Sequence, residues 1–490
     1  MKKEVQDSGG HPIFYVHLAV FLLITFGMGF LPAPGLPPQG MKILGVFLGL
    51  VYGWTFLSFT WPSMVCLLAL GFTGYATPTE VLVQGFANPV VLFVIFILIF
   101  TSYCNQSGLN ELLAKWVISR RIFAGGHPWL FAGCVLIGAF ISSFLVDPVP
   151  VVFLFFSILY TMFKDIGFKK GDNYPAYLLV GVCVAGCLSA LCKPWNPQNL
   201  PGITALKNIS GGAAVIDNVT LIVVAFPACI VALLLFVLAV RFMLRPDVKQ
   251  FSNLTPEYLA KLRGDLRMGK KEGVAAAAVF AFLCLMLLPN LLPSDWASMK
   301  FLNLFALGTG MILILSILSI IRIDHKPVFD FQSCSEGINW NVIWMFASSI
   351  PVSSALGSPE AGLEPLIKEF MGSYFSSGSS LLTLVLFMIC VNLITQIAHN
   401  VAVIIVAAPI VWNLSQTAGF NPVGFYLLVI LSAGIAFVTP AASIIGAISF
   451  SNGEWIGVQR AFKVGFIGNF ICLGCLIALG LPLVLLLVGI

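Results

Sequence analysis

Long apolar runs separated by short polar segments dominate this sequence, and about 20 apolar residues are needed for a helix to cross a bilayer. Two of the runs, 129–163 and 380–413, are longer than one span and are interrupted near the middle by polar residues. The pattern predicts an all-α polytopic membrane protein. The predicted spans are 13–31, 41–59, 61–76, 87–105, 176–192, 219–243, 272–292, 300–321, 341–357, 423–438 and 464–488.

The two interrupted runs carry polar groups that lipid tolerates least. The first break lies between Ile141 and Pro150, and the second lies between Ile394 and Val403. Irregular backbone at membrane depth is tolerated only where it faces protein or a watery cavity. We therefore interpret each run as a re-entrant hairpin with its polar tip inside the membrane, which gives eleven spans plus two hairpins.

The two halves of the chain repeat the same pattern. Segment 107–113 resembles segment 361–367, and Asp147 aligns with Asn400 at nearly the same offset. Because an odd number of predicted spans separates the hairpins, they enter from opposite faces as an inverted repeat, which places a transporter's substrate site near the midplane. The predicted units are an N-terminal scaffold at 1–76, a first repeat at 77–243, a cytoplasmic linker at 244–271 and a second repeat at 272–490.

The placement of basic residues supports an orientation of the chain in the membrane, and the net charge does not indicate a nucleic-acid partner. Only 9% of the residues are charged, and the formal net charge is +5. With a cytoplasmic N-terminus, most Lys and Arg residues fall on the cytoplasmic side, as the positive-inside rule requires. We expect a multi-pass protein of the cell inner (plasma) membrane. The charged segment 244–271 is interpreted as a solvated linker.

At the two tips and in the spans that follow them, the chain resembles the divalent anion/sodium symporter family. That family has Ser-Asn-Thr at each hairpin tip, and the corresponding residues here are Val146-Asp147-Pro148 and His399-Asn400-Val401. It also has a Pro-Pro-Asn and a Thr-Pro element in the broken spans, matched here by Pro197, Asn199 and Thr439-Pro440. The resemblance implies a sodium-coupled, elevator-like transporter of a small divalent anion that forms a homodimer.

The resemblance also implies binding residues. Those implied for the first sodium site are Ser142, Asp147 and Asn199, and those for the second are Thr395, Ala398, Asn400 and Ala442. The candidate substrate-binding residues are Asp147, Pro148, Lys193, Asn196, His399, Asn400, Val401 and Ser443. We expect no resident cofactor, and Na⁺ would be a coupling ion.

Asp147 and Lys193 are ionisable residues at membrane depth, where a charge costs about 2.5–3.5 kcal/mol even on the mild insertion scale. Our hypothesis is that the Lys193 ammonium replaces the first sodium ion and that Asp147 anchors it. The alternative is a permanent structural pair without a transport role. His399 could donate to an anion, carry a proton or simply pack. Trp195 could line a cavity or anchor the chain at the membrane interface.

The sequence therefore predicts a secondary active transporter for a C4-type dicarboxylate or for sulfate, with the bilayer and a small anionic solute as its partners. One alternative is a cation/proton antiporter that uses Asp147 and Lys193. Another is a non-transporting membrane receptor with the same fold. No nucleotide-binding loop, zinc motif or nucleophile elbow is found, so no enzyme is expected.

Overall fold

The computed structural model describes residues 12–32, 35–120, 127–264, 267–291, 304, 308–336, 338–356, 358, 361–362, 380–397, 400–440 and 442–489. These residues are almost entirely helical. Two short antiparallel strands, β1 (Arg322–Ile323) and β2 (Lys326–Pro327), form the sheet found in them. The predicted class, an all-α polytopic membrane protein, is confirmed.

Thirteen α-helices are described between residues 12 and 291. They are α1 Pro12–Leu22, α2 Pro38–Phe56, α3 Thr60–Gly71, α4 Pro78–Phe86, α5 Pro89–Gln106, α6 Leu109–Ile118, α7 Pro128–Leu145, α8 Pro148–Ile166, α9 Asn173–Leu191, α10 Leu200–Ile209, α11 Asn218–Ala239, α12 Pro256–Arg263 and α13 Lys270–Leu291. Helix α1 continues through a π turn, Leu23–Gly27, and α11 through another, Val240–Leu244.

The second half repeats the order of the first. Its described helices are α14 Gly308–Ile320, α15 Phe331–Ser335, α16 Trp340–Leu356, α17 Ser380–Thr395, α18 Asn400–Ala418, α19 Pro422–Gly434, α20 Ile444–Ser451, α21 Val458–Cys475 and α22 Leu481–Leu487. The same order of five helices occurs twice, as α7–α11 and as α17–α21: two hairpin arms, a broken helix, a short helix and a long helix.

Eight described helices are long and apolar enough to cross a membrane. Helices α3 and α19 fall short of the predicted spans, with 12 and 13 residues. The predicted span 300–321 begins outside the described residues, and its described helix is α14. Helix α19 ends at Gly434 because the next residues leave the helical conformation, so the predicted span 423–438 is too long. The arms α7 and α8 have 18 and 19 residues, about 27 Å each, the length of a full span.

Proline creates the first tip. A residue before proline is disfavoured in the helical region, and proline itself is favoured at the first position of a helix. The Asp147-Pro148 sequence therefore separates the arms: Val146 and Asp147 leave the helical conformation, and Pro148 starts α8.

The helices pack around two hydrophobic cores. The hairpin core contains α7–α11 together with α17–α22. The scaffold core contains α1–α5, α13, α14 and α16. The scaffold core also contains residues that lie at or after the two tips and the first broken helix: Val146, Trp195, Leu200, Val401 and Ala402. Both tips therefore lie against the scaffold.

The interpretation of 244–271 as a solvated linker is wrong for its central part. Phe251 and Leu254 are 1% exposed and pack in the hairpin core. The amide Nδ2 of Asn253 donates to the carbonyl oxygen of Ile166 at 2.9 Å, and the Tyr258 hydroxyl donates to Asp165 Oδ2 at 2.9 Å. Apolar residues spaced along short helical turns bury one side of the linker against the base of the first hairpin.

Candidate functional site

Lys193 lies in the turn between α9 and α10 and is only 4% exposed. Its Nζ donates to the carbonyl oxygens of Ser143 and Val146, both at 2.8 Å. These carbonyls lie at the C-terminal end of α7, where the last carbonyls have no helical partner and the helix dipole is negative. The end of the first arm thus provides the ligands of a buried cation.

Asp147 caps the next helix instead of pairing with Lys193. Its Oδ1 accepts a hydrogen bond from the Val149 amide at 2.9 Å. The carboxylate and the ammonium interact electrostatically, but no ion pair links these two described side chains. The hypothesis that Asp147 anchors the ammonium directly is therefore wrong, because the α7 carbonyls hold it.

A cavity of about 40 Å³ separates this tip from the scaffold. Such a space accommodates a few water molecules. Four of the predicted substrate-binding residues line it: Asp147, Pro148, Lys193 and Asn196. The scaffold contributes residues of α5 and α13, and its lining is mostly apolar.

Trp195 forms a wall of this cavity. It is 7% exposed, and its ring contacts Phe144 of α7 and Phe282 of α13 with centroid distances of 5.9 Å and 5.3 Å. The alternative role of membrane-interface anchor does not fit this burial. Trp195 joins the first tip to the scaffold instead.

The asparagines of the first broken helix hold its end. Asn199 Nδ2 donates to the carbonyls of Leu191 and Lys193 at 3.0 Å and 2.9 Å, and Asn196 Nδ2 donates to Ala190 at 2.9 Å. Asn199 Oδ1 is buried and has no partner among the described groups.

Ser142 and Ser143 complete this side of the tip. Ser142, predicted at the first sodium site, is 3% exposed, and the neighbouring hydroxyl of Ser143 is also buried without a partner in the described residues.

The second tip is built from neutral groups. The Thr395 hydroxyl donates to the carbonyl of Ala433 at 2.9 Å, and the Ser443 hydroxyl donates to Ala436 at 2.5 Å. Asn400 is fully buried; its Oδ1 accepts from the Val401 amide at 2.9 Å, and its Nδ2 has no described partner. Ala442 is buried, and Val401 packs in the scaffold core. Ala398 and His399 lie outside the described residues.

Sequence reasoning missed a buried amide network behind the second tip. Gln396 Nε2 donates to the carbonyl of Ile435 at 2.6 Å, and Asn392 Nδ2 donates to Ser432 at 3.1 Å. Asn469 Nδ2 of α21 donates to Asn392 Oδ1 at 2.8 Å. The usable signal was the spacing of Asn392 and Gln396, which lie four residues apart on one face of an apolar helix.

The two halves share one further link that the sequence did not show. Ser143 and Gln396 each lie four residues before the aligned pair Asp147 and Asn400. The carbonyl of Ser143 accepts from Lys193, and the carbonyl of Gln396 accepts from the Thr439 hydroxyl. The hydrogen bond that links the hairpin to the segment after the next helix thus has a charged donor, Lys193, in the first half and a neutral donor, Thr439, in the second.

Comparisons with known proteins identify the family. The sequence profile described as "Citrate transporter" matches residues 43–362, well over half of the chain. The chain belongs to the citrate transporter family. This confirms the predicted relationship to sodium-coupled anion transporters, and the chain is accordingly a multi-pass membrane protein of a transporter family rather than an enzyme.

Individual relatives are distant. The sodium-dependent dicarboxylate transporter SdcS of Staphylococcus saprophyticus is 22% identical over 96% of this chain and 91% of its own length. The sodium-dependent low-affinity dicarboxylate transporter 1 of Caenorhabditis elegans is 25% identical over 41% of this chain. An uncharacterized transporter of Haemophilus influenzae is 23% identical over 34% of this chain. The matches to the last two relatives span 30% and 36% of those proteins.

Two solved structures share the fold. The YdaH transporter of Alcanivorax borkumensis covers 82% of this chain and 87% of its own, with a TM-score of 0.55 and 14% identity. MtrF of Neisseria gonorrhoeae, described with a class of antimetabolite efflux pumps, covers 97% of this chain and 95% of its own, with a TM-score of 0.54 and 15% identity. Identities this low support the fold alone.

Proposed function

We propose that this chain is a secondary active transporter of a small divalent anion, with a C4 dicarboxylate as first choice and sulfate as second. Its place in the citrate transporter family and its full-length similarity to a dicarboxylate transporter support the class of solute. The observation that carries the proposal is the buried Lys193 ammonium, held by two carbonyls beside a cavity at the junction of the hairpin and scaffold cores.

The charge arrangement suits an anion. A dianion in a poorly solvated site needs positive charge nearby, because electrostatic interactions are stronger there than in water. Lys193 supplies a positive charge. At the second tip, Nδ2 of the buried Asn400, which has no partner among the described groups, supplies a hydrogen-bond donor.

Sodium coupling is assigned to the second tip. The α7 carbonyls that could bind a cation are occupied by Lys193, which leaves the first half with a built-in positive charge. Thr395, Ala398, Asn400 and Ala442 are the residues proposed for sodium, which prefers oxygen ligands. We accordingly propose that the second site alone binds a coupling sodium ion.

The two cores suggest how access alternates. The hairpin core carries the broken helices and most of both hairpins, and the scaffold core surrounds their tips on one side. We propose that the hairpin core moves against the scaffold in an elevator-like manner. We further propose that the scaffold mediates a homodimer in the inner membrane, with the N-terminus in the cytoplasm.

Uptake into proteoliposomes tests this function. Labelled succinate should accumulate when an inward sodium gradient is imposed and should fail to accumulate with potassium in its place. The degree to which excess unlabelled sulfate, citrate or malate inhibits succinate uptake ranks the competing anions. Sodium or potassium flux that needs a proton gradient and no anion would instead favour the antiporter. Saturable binding of succinate without flux would favour the receptor.

A further inference from the structure

The first tip offers almost no amide donors to an anion. Helix N-termini usually bind anions through their free backbone N–H groups. In the first turn of α8, Pro148 and Pro150 have no N–H group, and the amide of Val149 donates to Asp147 Oδ1 at 2.9 Å. Asp147 therefore takes the place that a carboxylate of the solute would occupy at this helix.

The second oxygen of Asp147 is the free acceptor of the cavity. The Asp147 side chain has no hydrogen bond to a described group other than the Val149 amide. The neighbouring ammonium of Lys193 is directed at the carbonyls of Ser143 and Val146. An ammonium group has three donors, so one N–H of Lys193 has no acceptor among the described groups.

Two other described polar side chains around the cavity are hydrogen-bonded to carbonyls of their own segments. The Thr101 hydroxyl donates to the carbonyl of Ile97 at 2.8 Å, and Asn196 Nδ2 donates to Ala190 at 2.9 Å. Among the described lining residues, the titratable groups that surround Asp147 are Lys193 and, from α5, the Cys104 thiol. The aromatic residue from α13 is Phe282. Asp147 Oδ2 thus lies ready to accept a hydrogen bond from a solute.

We propose that Asp147 selects transported anions that carry a hydroxyl or amino donor next to their carboxylates. This inference rests on the proposed function. A hydroxyl group donates to Asp147 Oδ2 and accepts from the remaining N–H of Lys193. A plain carboxylate at the same place meets the negative charge of Asp147 and provides no proton for it. Hydroxylated dicarboxylates are therefore preferred over unsubstituted ones of the same length.

A pair of matched solutes tests the proposal. In proteoliposomes containing the full chain, malate and succinate compete for uptake of labelled malate. Malate should compete at least about tenfold better than succinate, the ratio expected for a hydrogen bond to a charged acceptor. In Asp147→Asn, the amide oxygen can still cap Val149, and the amide NH₂ replaces the free acceptor by a donor. The variant should lose the preference for malate and gain affinity for succinate.

Asp217→Asn is the matched control. Asp217 caps α11 by accepting from the Thr220 amide at 2.8 Å, so the same substitution is made at a helix start away from the cavity. It should keep the preference for malate. Thermal melting of both variants establishes that they are folded. Equal competition by malate and succinate, or an unchanged preference in folded Asp147→Asn, would overturn the assignment of Asp147. Failure of both solutes to enter or bind would overturn the proposed function and this inference together.

Discussion

At the scale of single residues, the position of Lys193 has the largest physical consequences. A buried ammonium is tolerated only when its charge and its protons are satisfied. Here the two carbonyls at the end of α7 accept two of its three N–H donors, and these carbonyls would otherwise be buried without donors. The same contacts therefore stabilise both the charge and the end of the helix.

Removal of this ammonium gives the first prediction. In Lys193→Ala, each carbonyl left without a donor should cost about 1–3 kcal/mol of stability, and transport should fall. Because space for a cation is created, sodium should raise the melting temperature of the variant more than that of the unsubstituted protein, by preferential binding to the folded state. Melting curves in sodium and in potassium measure both effects.

Lys207→Ala is the control for this experiment, because Lys207 is exposed at the end of α10. Its melting temperature and sodium response should match those of the unsubstituted chain. An equally stable Lys193→Ala with an unaltered sodium response would show that the ammonium does not substitute for an ion.

At the scale of elements, the linker acts as part of the first hairpin. Phe251 lies against Phe131 and Tyr174, with ring centroids 5.5 Å and 4.9 Å away. These contacts bind the linker to the start of α7 and to α9. We expect the 3₁₀ turn Lys249–Asn253 to move together with the hairpin core.

Truncation of Phe251 tests this docking. Phe251→Ala should destabilise the packed linker by about 3–5 kcal/mol, the usual cost of removing a buried aromatic ring. Trypsin should then cleave the segment around Lys261 much faster. Ser252→Ala, at an exposed neighbour, should leave the cleavage rate unchanged. Equal cleavage of both variants would mean that the linker is not held by this ring.

A second element-scale contact joins the repeats through their loops. Lys170, in the loop after α8, forms an exposed ion pair with Glu454, in the loop after α20. The hydrogen bond from Lys170 and its charge lower the pKa of Glu454. Because the pKa is lower in the folded state, the pair stabilises the fold above the ordinary glutamate pKa of about 4.3. That contribution is lost as pH falls through the folded pKa.

Glu454→Gln should therefore melt slightly below the unsubstituted chain at neutral pH, and the difference should vanish in acid. Melting temperatures measured from pH about 7 down to about 3 follow this window. The effect is small because both side chains are exposed to water and salt. A difference that persists in acid would mean that the charge of Glu454 is not its source.

At the scale of the whole molecule, packing joins parts of both repeats. A side chain at Gly202 of α10 would place its Cβ 2.3 Å from Ile404 of α18, so the short helix α10 and the second hairpin touch closely. The broken helices α9 and α19 also meet, where Cys187 Sγ donates to the carbonyl of Gly434 at 3.4 Å. The hairpin core is thus one body made from both repeats.

A crosslink tests the proposed motion of the hairpin core against the scaffold. Asn208 of α10 and Ser354 of α16 are hydrogen-bonded across the core boundary at 3.2 Å. Oxidation of an Asn208→Cys, Ser354→Cys pair should stop uptake, and a reductant should restore it. Because Cys390 is exposed, the experiment uses a Cys390→Ser background.

A second pair within the hairpin core serves as the comparison. Arg460 donates to Asn173 at 3.0 Å, and both residues lie at one end of that core. Oxidation of Asn173→Cys, Arg460→Cys should leave uptake intact. Inhibition by both pairs, or by neither, would contradict movement of the hairpin core against the scaffold.

The amino-acid sequence by itself determined the membrane class, most spans and the two tips. These features follow from local causes: the length of apolar runs and the effect of proline on the residue before it. Membership of an anion-transporter family was also predicted correctly from the residues at the tips. The ends of α19 and the lengths of the short spans were less accurate, since apolar residues continue past the point where the helix breaks.

Tertiary structure alone decided what each polar side chain contacts. Asp147 and Lys193 are opposite charges, yet the ammonium binds carbonyls because α7 ends within its reach and Asp147 caps α8. The linker was expected in solvent, yet Phe251 and Leu254 are buried because the hairpin base leaves an apolar surface beside them. Asn392 of α17 and Asn469 of α21 lie far apart in sequence, yet their side-chain amides are hydrogen-bonded. Hydrogen-bond partners of this kind depend on which polar groups the packed helices leave without a donor or acceptor. A local sequence pattern does not contain that information.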